Sequence, residues 1–202
     1  MDIKLIFALA AIVMVVIGYI PHLRDIFAGS TRPHMYTWLI WAITQSTATL
    51  AAFYGGANWG VVALAGGTLL VIFVFFLSFK YGTRNITKSD TVILTLALGS
   101  ILVWWQTNNP LLAVVMVSAI DGLGYLPTYR KSWSEPYTET LSFWFMMVLV
   151  TILSILSLAE INLLTATYLV TITVANMLVF LLCLVRRRYV PRPLAETVEV
   201  QQ

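Results

Sequence analysis

One acidic residue, Asp121, falls well inside an apolar stretch, six positions before Pro127. At helical spacing Ser118, Asp121, Tyr125 and Thr128 share a face. A charged carboxylate near a bilayer midplane costs at least ~2.5 kcal/mol, so something must offset that cost. Two functional roles suit it: binding and releasing a proton during transport, or hydrogen-bonding a polar substrate. The structural alternative is a carboxyl that ties its helix to its neighbours. A second face carries Trp38, Trp41, Gln45 and Thr49. Aromatic surface beside an amide suits a sugar, a nucleoside or another small polar solute, although Gln45 could equally join helices as polar glue. A third face pairs Thr173 with Asn176, and the asparagine reads either as a ligand-binding group or as the same kind of glue.

Other chemistry has no residues to carry it. The sequence contains no nucleotide-binding loop, no nucleophile elbow and no paired intramembrane acid and base, so no enzymatic activity, cofactor or nucleic-acid partner is expected. His22 and His34, read as neighbours on one loop, lack the cysteine or carboxylate companions of a metal site. Lys4, Lys80, Lys88 and Lys131 all lie at helix ends or in loops, which excludes a retinal Schiff base. Asn85-Ile86-Thr87 matches a glycosylation sequon but falls in a loop assigned to the cytoplasm. The single cysteine, Cys183, sits in an apolar run and reads as inert packing.

These residues need elements to hold them. Of 202 residues 59% are hydrophobic and 10% charged, far below the roughly 25% charged fraction of a soluble domain. Apolar runs near 3–21, 35–55, 60–79, 90–107, 110–129, 139–159 and 162–185 each approach the roughly 20 residues that span a bilayer. Gly55-Gly56 and Pro110 punctuate them, Ser89-Asp90 offers an N-cap to the fourth, and Trp59, Trp104 and Trp105 read as interfacial anchors. With the N-terminus outside, eleven Lys and Arg residues face the cytoplasm and only Lys4 faces out. The basic residues follow the first apolar run instead of preceding it, which argues against a cleaved signal peptide.

GYIPHLRDIF at residues 18–27 returns as GYLPTYRKSW at residues 124–133. Arg32-Pro33 then precedes the second span as Glu135-Pro136 precedes the sixth, and Thr37-Trp38 falls near Ser142-Phe143-Trp144 with an expected gap of one or two residues. Pro21, Pro127, Pro33 and Pro136 read as hinges or as plain helix punctuation. The expected fold is an all-α membrane protein of seven transmembrane helices in two parallel three-helix bundles joined by a linker helix, with the C-terminus cytoplasmic. The expected units are 1–82, the first bundle; 83–108, the linker loop and helix four; 109–188, the second bundle; and 189–202, a cytoplasmic tail.

This pattern resembles the SWEET and PQ-loop transporter superfamily over roughly residues 3–186. His22 and Thr128 stand where the glutamine of the Pro-Gln motif belongs. The resemblance implies a small-solute carrier whose four prolines hinge the cytoplasmic gate. It also implies a substrate-contacting asparagine pair, one from the third helix of each bundle: Asn176 fits that pattern, and Thr68, at the matching position of the third helix, departs from it. The expected function is transport or facilitated passage of a small polar solute such as a sugar, nucleoside or amino-acid-like molecule, by rocking of two bundles, with proton linkage through Asp121 as one option. The alternative is a seven-helix ligand or cargo receptor. The substrate-binding set is Asp121, Asn176, Gln45, Trp41, Trp38, Tyr125 and Thr68. The expected partners are that solute and the lipid bilayer, with homo-oligomerisation left open, and the expected location is a bacterial or archaeal plasma membrane.

Overall fold

The computed structural model describes residues 3–54, 59–83, 86–107 and 109–192, and these are all-helical apart from loops and one isolated bridge between His34 and Thr83. The Gly55-Gly56 break, Arg84 and Asn85 and the tail beyond Arg192 lie outside the described residues, as does the Trp104 side chain. The helices are α1 (Ile3–Phe27), α2 (Met35–Tyr54), α3 (Trp59–Tyr81), α4 (Lys88–Thr107), α5 (Pro110–Gly124), α6 (Leu126–Ser134), α7 (Leu141–Leu156) and α8 (Leu163–Arg186), with a 3-10 turn over Pro136–Thr138. Among the described residues, Ile3–Phe27, Leu64–Tyr81, Pro110–Ser134 and Leu163–Arg186 are long and apolar enough to cross a membrane, and Leu141–Leu156 is a shorter apolar helix.

Several boundaries have identifiable chemical causes. Asn109 accepts from the N–H groups of Leu111 and Leu112, both at 3.1 Å, and Pro110 follows where a missing N–H costs nothing. Asn162 and Thr165 form a reciprocal capping box at the start of α8. The α4 cap differs from the Ser89-Asp90 expectation: Thr87 is the capping residue. Its N–H donates to Asp90 Oδ2 at 2.8 Å, and its hydroxyl accepts from the Asp90 N–H at 3.3 Å.

The prolines sit inside longer helices than the sequence pattern indicates. α1 runs six residues past Pro21 to Phe27, and α6 carries the second copy past Pro127 to Ser134. A helical proline removes its own N–H and crowds one upstream carbonyl, but later N–H groups can still bond four residues back. The second copy is interrupted just before its proline. Tyr125 N–H bonds to the Gly122 carbonyl at 3.3 Å, and regular bonding resumes with Tyr129 N–H to the Tyr125 carbonyl at 2.8 Å. His22 is therefore a residue of α1, buried, and not a loop residue beside His34.

Packing order closes a ring. α1 packs on α3, α3 on α2, α2 on α5, α5 on α8, α8 on α7 and α7 back on α1, while α4 lies outside the ring against α2 and α5. Moving from α1, α2 and α3 to α5, α7 and α8 reproduces the same contacts, so the ring has an internal two-fold relation. The glycines of the repeat show its register. A Cβ on Gly18 would meet Met146 and Met147, and one on Gly124 would meet Ile40 and Trp41, residues that likewise lie 106 positions apart. The same separation pairs Thr37-Trp38 with Phe143-Trp144 without a gap. Within that register the second proline shifts: Pro136 comes three residues earlier than Pro33 does, and the difference is made up between Pro136 and α7, where the chain makes its 3-10 turn.

Ring exteriors are apolar: Leu9, Val13, Val16 and Ile20 on α1, Leu69, Phe73 and Phe76 on α3, and Val174, Leu178 and Leu181 on α8 are exposed. Ala8, Ala11, Ala48 and Ala51 are almost fully buried at the crossings. Small residues let helix backbones approach, which is how helices associate when the surroundings are as apolar as their side chains.

Candidate functional site

The ring encloses a cavity with about 70 Å³ open to a water-sized body. Trp38, Trp41, Gln45, Asp121, Tyr125 and Asn176 all border it, so six of the seven substrate-site candidates meet at one place. Thr68 does not border it. It is buried, and its hydroxyl pairs with Thr49 at 2.9 Å and reaches the Leu64 carbonyl at 2.9 Å. In the third helices of the two halves the lining residues correspond at a separation of 105: Leu64 with Leu169, Gly67 with Ile172, and Val71 with Asn176.

The two-fold relation extends around the cavity, but its polarity does not follow it. Val15 faces the cavity where its counterpart is Asp121, Val71 where it is Asn176, and Met147 where it is Trp41. The departures fall together because α2, α5 and α8 are contiguous in the ring. One wall, from those helices, carries Gln45, Asp121, Tyr168 and Asn176, while the facing wall from α1, α3 and α7 presents Val15, Val71, Met147 and Val150 beside Tyr19, Trp144, Thr151 and Ser154.

The polar wall is largely bonded to itself. Tyr125 donates to Asn176 Oδ1 at 2.9 Å, and Tyr129 donates to the Ala175 carbonyl at 3.1 Å. Asp121, almost fully buried, is bonded by the hydroxyl of Thr44 and engages Tyr168, which also engages Gln45. Thr44 has one hydroxyl hydrogen and three acceptors in reach, Asp121 Oδ1, the Ile40 carbonyl at 2.9 Å and the Trp41 carbonyl at 3.4 Å. If Asp121 is ionised, Thr44 can donate to it. If Asp121 is protonated, its own hydrogen can point to Thr44, whose hydroxyl then turns to Ile40. Both protonation states fit the same heavy-atom positions. Thr44 and Tyr168 were absent from the sequence-derived set. Tyr168 could have been found because it lies eight residues before Asn176, two turns along the same face of α8.

Below the cavity, at the end that carries the repeat motifs, is a polar closure. Glu139 is buried and takes Lys131 at 2.6 Å on one oxygen and Trp144 Nε1 at 3.1 Å on the other. Lys131 also donates to the Arg32 carbonyl at 3.1 Å, joining α6 to the loop before α2. Thr140 donates to Asp25 Oδ2 and contacts the Thr31 hydroxyl, each at 2.9 Å. Immediately above, His22 stacks on Phe143 at 4.2 Å and on Trp38 at 5.4 Å between ring centroids. At the opposite end the cavity passes into an apolar cluster that includes Ala48, Ala52, Val61 and Leu158.

The hinge candidates separate into two kinds. Pro21 is a helix-interior residue, and Pro127 opens α6 directly after the Tyr125 interruption. Pro33 lies two residues before α2 and accepts from the Thr83 N–H at 2.9 Å, while Pro136 begins the 3-10 turn and accepts from Arg187 Nε at 3.1 Å. No family model, curated protein or solved structure matches the chain.

Proposed function

We propose that this chain is an integral membrane carrier for a small polar solute, bound in the central cavity and released by rocking of the two three-helix units. The supporting observation is the cavity within the six-helix ring, where Asp121, Asn176, Gln45, Trp41, Trp38 and Tyr125 converge. A site between repeats suits alternating access, because each unit can withdraw in turn from a ligand held between them. The full plan is seven spans, α2 and α4 included, with the N-terminus outside and the Lys131–Glu139 closure on the cytoplasmic side, in keeping with the excess of Lys and Arg at that end. The likeness to SWEET and PQ-loop transporters points the same way.

Pro21 and the Tyr125–Pro127 interruption are the proposed hinges, with Pro33 and Pro136 positioning the loops that meet at the closure. Thr68 is proposed as a joint between α2 and α3 through Thr49. Asp121 is the proposed proton-binding group, since Thr44 can serve either of its protonation states.

Purified protein in liposomes, challenged with a panel of radiolabelled sugars, nucleosides and amino acids, tests the proposal. Saturable uptake of at least one solute is expected. Saturable binding without uptake would replace the carrier with a receptor, and neither binding nor uptake of any solute would reject both.

A further inference from the structure

Among the described residues, His22 is the one side chain with two buried polar atoms that both lack a hydrogen-bond partner: Nδ1 and Nε2 are each sealed from water. A neutral imidazole carries one donor and one acceptor, and native structures rarely leave either buried and unmet. The ring's neighbours are aromatic instead. It stacks on Phe143, 19° from parallel, and on Trp38, 27° from parallel. Trp38 lies on α2 of the same three-helix unit, whereas Phe143 lies on α7 of the other, so the ring sits on the seam where α1 and α7 meet. Its counterpart at the 106-residue separation is Thr128, which has no proton to exchange near neutral pH.

The charged groups around His22 are committed elsewhere. A second cavity of about 10 Å³, with room for about one water, is bordered by His22, His34, Lys131 and Glu139. Both Glu139 oxygens are taken, one by Lys131 and one by Trp144 Nε1. His34 faces Asp90 at 3.8 Å. On α1 itself, Asp25 pairs with Arg24 and accepts from Thr140, and Tyr19 meets the His22 ring edge-on at 6.2 Å between centroids. α7 has no ionisable side chain, and α3 has only Lys80 and Tyr81, which pack together beside Phe27. Asp121 borders the central cavity and not this smaller one.

Resting on the rocking motion proposed above, we infer that His22 is a second proton-binding site, whose protonation drives the polar closure apart. An imidazolium has two N–H donors. While the closure is shut, neither donor has an acceptor or water, and burying a charge in that condition is costly. When α1 slides away from α7 the Phe143 stack parts and water reaches the ring, so both donors are met. Proton binding and opening therefore favour each other by the same factor. A single proton can change the ratio of open to shut molecules by at most about tenfold per pH unit.

Spin labels at Ser30→Cys and Ser134→Cys, exposed positions in the loop before α2 and at the end of α6, read the opening as an interspin distance. Cys183, buried in α8, is left in place. The double-cysteine protein in nanodiscs would be measured from about pH 8 to about pH 5, the range in which histidines titrate. A longer-distance population is expected to grow as the pH falls. His22→Phe keeps a ring against Phe143 and removes the proton site, and is expected to abolish that growth. Asp121→Asn is expected to preserve it. No growth of the longer distance on acidification would overturn the inference without relying on any variant at His22. The same growth in His22→Phe would also overturn it, assigning the response to Glu139, His34 or Asp121. Opening that follows added solute but not pH would overturn the inference and leave the carrier intact. Acid-driven opening that needs His22, in protein that takes up no solute, would support the inference and reject the carrier.

Discussion

Asp121 is a carboxyl with two hydroxyl neighbours, and among the described residues no cation borders its cavity. Because Thr44 can turn its hydrogen toward Asp121 or toward Ile40, the site accommodates a proton without repacking. Asp121→Asn keeps the shape and removes the titration. If Asp121 is the coupling group, the variant is expected to take up solute at a rate that no longer changes with pH, while the unaltered protein's rate does; proteoliposome uptake over a pH series reads this directly. Unchanged uptake and unchanged pH dependence would remove Asp121 from the mechanism. A second contrast at this scale concerns glycines. A Cβ on Gly82 would stand 2.5 Å from the Pro33 carbonyl oxygen and 2.4 Å from that of Ser78, both backbone atoms, whereas one on Gly66 would meet nothing within 4 Å. Gly82→Ala is therefore expected to lower stability by about 1–3 kcal/mol, and Gly66→Ala to raise it by about 0.5–1 kcal/mol, both read by thermal unfolding in detergent.

Among the elements, α1 and the α5–α6 pair are two answers to one motif. Pro21 sits in a continuous helix, whereas Pro127 follows a break and occupies a position where its missing N–H is not needed. An interior proline costs a helix up to about 3 kcal/mol and one at the first turn very little. Pro21→Ala is thus expected to raise the unfolding temperature and, if Pro21 is a hinge of transport, to slow uptake several-fold, while Pro127→Ala leaves the unfolding temperature almost unchanged. Equal stabilisation by both would show that the two helices are built alike. The sequence pattern placed these helices within a few residues and set Asp121, Tyr125 and Asn176 on buried faces, because apolar length and helical spacing are local properties. It stopped α1 near Pro21, since punctuation does not reveal whether later N–H groups still find carbonyls. It also matched Asn176 with Thr68, because a shift of about one helical turn preserves the face. Only packing distinguishes Val71, which borders the cavity, from Thr68, which bonds to Thr49.

For the whole molecule, the decisive feature is a ring whose two halves exchange partners: α1 lies against α7, and α2 against α5. Any rocking must therefore slide helices of one unit along those of the other, and the polar contacts at the motif-bearing end must part. Thr31 and Thr140 provide a place to hold that end shut, because they come from different halves and their hydroxyl oxygens are 2.9 Å apart. Sulfur atoms in the same positions need only a modest approach to reach the roughly 2.05 Å of a disulfide. Cys183 is buried in α8 and can stay in place, with the two single variants as controls. Oxidised Thr31→Cys/Thr140→Cys protein is expected to lose uptake and regain it on reduction, whereas each single variant transports under both conditions. Quantitative cross-linking, verified by mass, with uptake undiminished would mean that this end does not open, and the solute would need another path between the two halves.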